Sequence, residues 1–153
     1  MFDTGAYGPT IAGILDLKAE EARDSIRRSG LPDLVRAGLF LHFGCWKEAH
    51  ELAQNIETPD GSYWHAIVHR MEPDPDNAAY WFRRVGSHPV FPALRARAEQ
   101  LGYSAGVKWD PFAFIKFCER DSGPVAAAVQ RAEWELLFDH CARQAKPGET
   151  GAS

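Results

Sequence analysis

His65 and His69 stand four residues apart, and Glu72 follows three residues later. On a helix these three share one face. Two imidazoles at that spacing form a chelating pair for a divalent transition metal such as Zn, Ni, Fe or Cu, and a carboxylate one turn further on can complete the set. A histidine near neutrality also suits acid–base work. His65, His69 and Glu72 are therefore the candidate catalytic residues: either imidazole as general base or metal ligand, Glu72 as further ligand or orienting group. The spacing differs from the zinc-protease pattern H-E-x-x-H, because Ala66 stands where the glutamate would be. The alternative is a pair of buried histidines bonded to nearby acids or carbonyls. Upstream, His50 and Glu51 lie on the preceding helical stretch. If the two helices run antiparallel through a short turn, His50 or Glu51 faces His65 and His69, collecting two or three imidazoles with one or two carboxylates; the candidate metal set is His50, His65 and His69. The competing reading makes Lys47, Glu48, His50 and Glu51 a solvated face; Glu48 is assigned to it.

The rest of the run 62–89, SYWHAIVHRMEPDPDNAAYWFRRVGSHP, adds cations and aromatic rings. Asn77, Tyr80, Trp81 and Arg84 fall on one side of a helix, with Ala78, Phe82 and Val85 on the other. Arg70 and Arg84 are planar forks suited to a carboxylate or phosphate, and Tyr80 and Trp81 offer stacking walls. With His88 turned back towards them, Arg70, Asn77, Tyr80, Trp81, Arg84 and His88 form a candidate binding set for a small anionic or aromatic molecule. The architectural alternative pairs Arg70, Arg83 and Arg84 with Glu72, Asp74 and Asp76 to brace the proline-rich turn. A different class of function, a protein-interaction module, would present the same Trp, Tyr and Arg residues to a partner protein. Convergence of His65, His69, Tyr80 and Arg84 in a hollow separates the first class from the second.

The elements that must hold these groups read as helical. AEEARDSIRR, LVRAGLFLHF, WKEAHELAQN, SYWHAIVHRME, NAAYWFRRV, ALRARAEQL, FAFIKFCER and VAAAVQRAEWELLFDHCARQA carry helix formers or apolar positions at three-and-four spacing. Ser29-Gly30, Pro59-Asp60-Gly61, Gly86, Gly102 and Ser122-Gly123 punctuate them. Ser62, Asp76 and Asp110 read as helix caps. Alternating Val/Ile/Thr-rich segments are missing. The expected fold is all-α, a compact bundle of about seven helices built from helical hairpins, in one domain over 1–146 with a disordered tail over 147–153. Trp109, Phe112, Phe114, Phe117 and Trp134 read as core aromatics, Glu133 and Glu135 as a solvated edge, and Asp139-His140 as a surface pair.

Composition narrows the classes. With 17 basic and 21 acidic residues, a net charge of -4 and no basic stripe, a nucleic-acid partner is not expected. No apolar stretch reaches the roughly 20 residues that span a bilayer, so no membrane partner is expected. The three cysteines, Cys45, Cys118 and Cys141, are far apart and read as reduced thiols, and the opening MFDTGAYGP lacks a basic or apolar leader; a cytoplasmic protein is expected. No Gly-rich phosphate loop, G-x-S-x-G elbow or Cys–His nucleophile arrangement is present.

The string WHAIVHRMEPDPDNAAYWFRRVGSHPVF resembles a family of bacterial and fungal proteins that share HR-x-EPD and YWFRRVG-x-HP elements. The resemblance extends over 52–91 and partly over 133–141. Met71 departs from it, standing where relatives carry a charged residue. The resemblance implies where the site lies and brings no activity or cofactor. The paired helices around Gly38–Ala53 and Ala66–Val85 also resemble, loosely, tetratricopeptide-type hairpins.

Overall fold

The computed structural model describes residues 7–145, and every regular element among them is a helix: α1 (Gly8–Leu15), α2 (Ala19–Arg28), α3 (Asp33–His42), α4 (Trp46–Ala53), α5 (Pro59–Met71), α6 (Pro75–Val85), α7 (Phe91–Gln100), α8 (Pro111–Arg120) and α9 (Pro124–Gln144). The all-α expectation holds. The expected number of about seven becomes nine among the described residues. One helix was not expected at all: α1 is capped by Tyr7, whose side chain makes no cap hydrogen bond, so the sequence carries no polar start signal there. The tail expected over 147–153 lies outside the described residues.

A repeated local rule sets three helix starts. A Thr or Asp immediately followed by proline places the proline in the first turn, where its missing N–H costs nothing, and leaves the preceding oxygen to cap the helix. Thr58 Oγ1 accepts from Gly61 N at 3.2 Å, and Asp74 Oδ1 accepts from Asn77 N at 3.3 Å. Asp110 Oδ1 accepts from Phe112 N at 2.9 Å and Ala113 N at 3.2 Å. Asp110 caps α8 as expected. The other two caps are corrected: α5 is capped by Thr58 instead of Ser62, and α6 by Asp74 instead of Asp76. The Pro59-Asp60-Gly61 segment read as a turn is the first turn of α5. Gly61 is required there, because a Cβ would collide with Ile56.

Helix α5 is buried at every position from Gly61 to Arg70, with α3, α4 and α6 packed against it. Side chains on all its faces are therefore enclosed, and each polar one needs a partner. Tyr63 and Arg70, seven residues apart and so on one face, both reach Glu133 on α9. The Tyr63 hydroxyl donates to Glu133 Oε2 at 2.9 Å, Arg70 Nη1 donates to the same oxygen at 3.2 Å, and Arg70 Nη2 pairs with Oε1. Phe114 of α8 stacks under the guanidinium, its ring centroid 4.9 Å from Cζ. Burial, reinforced by the Glu133 carboxylate, pushes the Tyr63 hydroxyl well above its ordinary pKa, so it stays a donor.

Two expectations fail at this network. Glu133 is 1% exposed, not part of a solvated edge. Arg70 is committed to Glu133 and is not an anion clamp, and it does not brace the proline turn either. The physical reason is the same in both cases: a charge in the core is tolerated only with its partner, and that partner is distant in sequence. Close approach of helices completes the core. A Cβ on Gly38 would lie 2.8 Å from both Phe138 and Trp64, so α3 meets α5 and α9 where it has no side chain. Trp134 Nε1 donates to Gly38 O at 2.9 Å across the same contact. Met71 is 36% exposed because it ends the helix. No helix among the described residues is long and apolar enough to cross a membrane.

Removing one member of the buried pair strands a charge. Glu133→Ala is expected to lower unfolding free energy by about 3–5 kcal/mol in urea denaturation, whereas Arg70→Met combined with Glu133→Leu costs far less. Equal losses in the single and double variants would contradict the assignment of a mutually dependent pair.

Candidate functional site

His50 enters the site from α4, which is placed by charge on one side and by small residues on the other. Glu48 Oε2 lies 2.8 Å from both Arg23 Nε and Arg27 Nη2, tying α4 to α2. Glu48 is thus paired, in contrast to the solvated role assigned to it. Ala49 and Ala53 are fully buried or nearly so, and their short side chains let α4 pack closely among its neighbours α3 and α5. His50, next to Ala49, is half-buried.

Three imidazoles meet there. His65 and His69 are 3% and 8% exposed. Their rings stack at 4.8 Å between centroids, as the four-residue spacing requires. His50 meets both edge-on, 4.6 Å from His65 and 5.3 Å from His69. One ligand-capable atom from each residue falls within 4.8 Å of the other two. The closest contact is His65 Nε2 to His50 Nε2, at 3.1 Å. One of these nitrogens donates to the other. His65 Nδ1 is buried without a partner. A proton placed there would be an unmatched donor in the interior, so the stable tautomer has His65 donating through Nε2 to His50.

His69 is oriented differently. Its Nδ1 lies 2.5 Å from Glu72 Oε1, so the ring donates to the carboxylate and leaves Nε2 free of that bond. This carboxylate–imidazole pairing is the outer support common behind metal-bound histidines. His65 has no such outer bond.

Trp81 of α6 covers the group. Its ring stacks on His65 at 3.9 Å with planes 20° apart. Arg84 follows on the outer side, Cζ 5.3 Å from the Trp81 ring and 6.0 Å from the Tyr80 ring. The order outward is therefore imidazole, indole, guanidinium. Ala78, Phe82 and Val85 are buried on the opposite side of α6, as the sequence pattern predicts. Tyr80 is 45% exposed and stands against Trp81 at 5.1 Å, beyond the imidazole group.

The structure thus brings together His50, His65, His69, Glu72, Trp81 and Arg84, with Tyr80 at the edge. It does not bring in the others. Arg70 faces the core. Asn77 is exposed at the start of α6, its Nδ2 donating to Asp74 Oδ2 at 2.8 Å. His88 belongs to a second cluster: its Nδ1 accepts from Val90 N at 3.1 Å, and its Nε2 donates to Asp60 Oδ1 at 2.6 Å. His140 Nε2 lies 3.3 Å from the same Asp60 oxygen. His140 is therefore a long-range partner of Asp60 and not half of a surface pair with Asp139. Asp60 and His140 are 80 positions apart, and no spacing signal links α5 to α9 there. This second cluster suits a metal poorly. With Nδ1 already accepting a backbone N–H, His88 would have to give up its remaining proton to ligate through Nε2.

No family model, curated protein or solved structure matches this chain.

Burial first, and the neighbouring His50 and His69 second, lower the His65 pKa to about 4. At neutral pH the ring is uncharged and carries a lone pair fit for ligation. The sign for stability follows from comparison with the ordinary value of 6.5. Above 6.5 both folded and unfolded chains hold a neutral ring, and His65 makes stability independent of pH. Between 6.5 and about 4 the unfolded chain takes up a proton that the folded chain refuses. Stability therefore falls as pH drops through that window, by at most about 1.4 kcal/mol per pH unit for this one group. Urea midpoints of EDTA-treated protein are expected to show this fall, and His65→Asn is expected to flatten it. An unchanged slope in that variant would assign the acid sensitivity to other groups.

Proposed function

We propose that His50, His65 and His69 hold a divalent transition-metal ion, and that this centre, walled by Trp81 and Arg84, binds a small anionic molecule. The observation that carries the reading is the convergence of three imidazoles from two helices, one already oriented by Glu72. Two nitrogens bound to zinc at about 2.0–2.1 Å in tetrahedral geometry lie about 3.3–3.4 Å apart. The 3.1 Å between His50 Nε2 and His65 Nε2 is close to that separation. An ion can enter with a small outward shift once the His65 proton moves from Nε2 to Nδ1, where the metal bond offsets a donor left without an acceptor. An all-imidazole set favours Zn, Cu, Ni or Fe over Mg and Ca, which prefer oxygen. Three protein ligands leave a coordination position for water or substrate, and an ion there would supply Lewis-acid activation. Arg84, across the indole from His65, offers its fork to an anionic group that reaches past the indole edge. The family resemblance of 52–91 is consistent with a site in this segment.

A protein-interaction role is the second reading, favoured by Trp46 and Tyr80, which are 38% and 45% exposed on α4 and α6.

Protein loaded with Zn, Ni or Cu and then desalted is expected to retain close to one ion per chain by elemental analysis. His69→Ala and His50→Ala should each lose it while keeping the helical circular-dichroism spectrum. Absence of bound metal in the unsubstituted protein at micromolar free ion would refute the centre. In the metal-loaded protein, Arg84→Ala is expected to keep both ion and thermal midpoint but to lose thermal stabilisation by small carboxylates and phosphates. If that variant unfolds, Arg84 is instead a structural brace.

A further inference from the structure

A separate cavity of about 410 Å³ lies between the start of α7 and the loop that leads into α8. Its size falls within the range of about 300–1,000 Å³ usual for small-molecule sites. Phe91, Pro92, Val107 and Trp109 supply apolar wall, and Arg95 and Lys108 supply positive charge. Val107 is 90% exposed although it is an aliphatic residue on a loop, so the apolar lining continues out to the rim. Lys108 is exposed and has no ion-pair partner among the described residues. Arg95 holds the loop in place: its Nε donates to Gly106 O at 2.6 Å, and its Nη2 lies 3.8 Å from Glu99 Oε1. Glu99 in turn accepts from Ala105 N at 3.0 Å, so the loop carrying Val107, Lys108 and Trp109 is tied to α7 at two points.

Trp109 is 6% exposed and wedged against Tyr103 and Phe114, which fixes the wall it contributes. A site with apolar walls and an unpaired lysine at its mouth is complementary to a molecule with a flat or aliphatic body and one anionic end.

We propose that this cavity is a binding site for a small organic carboxylate, its apolar body between Phe91, Val107 and Trp109 and its anionic end towards Lys108. The site shares no residue with the imidazole group, and its test does not depend on metal.

The experiment uses benzoate, hexanoate and the uncharged isostere benzamide, each titrated into uniformly 15N-labelled protein. Saturable shifts are expected in the Trp109 indole N–H signal, assigned by its loss in Trp109→Phe, and in the amides of residues 106–109. Benzamide is expected to bind at least tenfold more weakly than benzoate, and Lys108→Glu is expected to weaken benzoate at least tenfold with an otherwise unchanged spectrum. Tighter benzoate than hexanoate would specify an aromatic body, and the reverse an acyl chain. Equal binding of benzoate and benzamide, no effect of Lys108→Glu, or no saturable shift at 10 mM ligand would each overturn the proposal.

Discussion

The buried contact of Arg70 and Tyr63 with Glu133 governs the rest of the architecture, because it fixes the rotation of α5 about its own axis. Successive residues on a helix are about 100° apart. Tyr63 and Arg70 share the face that meets α9; His65 lies about 150° and His69 about 110° from that face, on the far side and the flank of the helix. With Glu133 holding Arg70, the imidazoles have nowhere to turn except towards α4 and α6. A slip of one residue in α5 would expose a charge to the core and lose the pair, a cost of several kcal/mol that no alternative contact offsets. Site geometry is thus a consequence of an ion pair that contains no site residue.

The two neighbours of α5 act in different ways. Helix α4 is held close by Ala49 and Ala53 and from outside by the Arg23–Glu48–Arg27 contacts, which leaves His50 within 3.1 Å of His65. Helix α6 brings Trp81 flat onto His65 and leaves Tyr80 and Arg84 outward. The result is an asymmetric group: His69 has a carboxylate behind it, and His65 has an indole over it and an unmatched nitrogen. Asymmetry of this kind separates roles. The oriented ring is suited to hold a ligand tightly, and the desolvated one stays neutral well below physiological pH.

The histidine clusters illustrate how hydrogen bonding decides what similar residues can do. Asp60, His88 and His140 are as rich in ligand atoms as His50, His65 and His69. In the first group a backbone N–H already occupies the His88 lone pair, and the carboxylate is shared between two rings. Such a group joins α5, α9 and the segment before α7 as a fastening. In the second, Glu72 accepts a hydrogen bond from Nδ1–H of His69, which leaves the lone pair of Nε2 free.

Much of the local structure was legible in the residues themselves. Helical periodicity, the Asp110-Pro111 start of α8 and the common face of His65, His69 and Glu72 follow from spacing and backbone chemistry alone, because they depend on neighbours within a turn or two. The Thr58-Pro59 and Asp74-Pro75 starts obey the same rule and were open to the same reading. Other features had no local signal. Glu133 beside Trp134 looks like a surface acid until Arg70, 63 positions away, meets it in the core. Asp60 and His140 are joined only by the packing of α9 on α5, and Arg70 looks like an anion clamp until its partner is known. Sequence by itself determined eight of the nine helices among the described residues and which side chains share a face; tertiary structure alone decided which face turned inward and which charge met which. The reason is physical: helix formation is settled by short-range backbone and side-chain contacts, whereas a buried charge is settled by whatever opposite charge the fold carries to it.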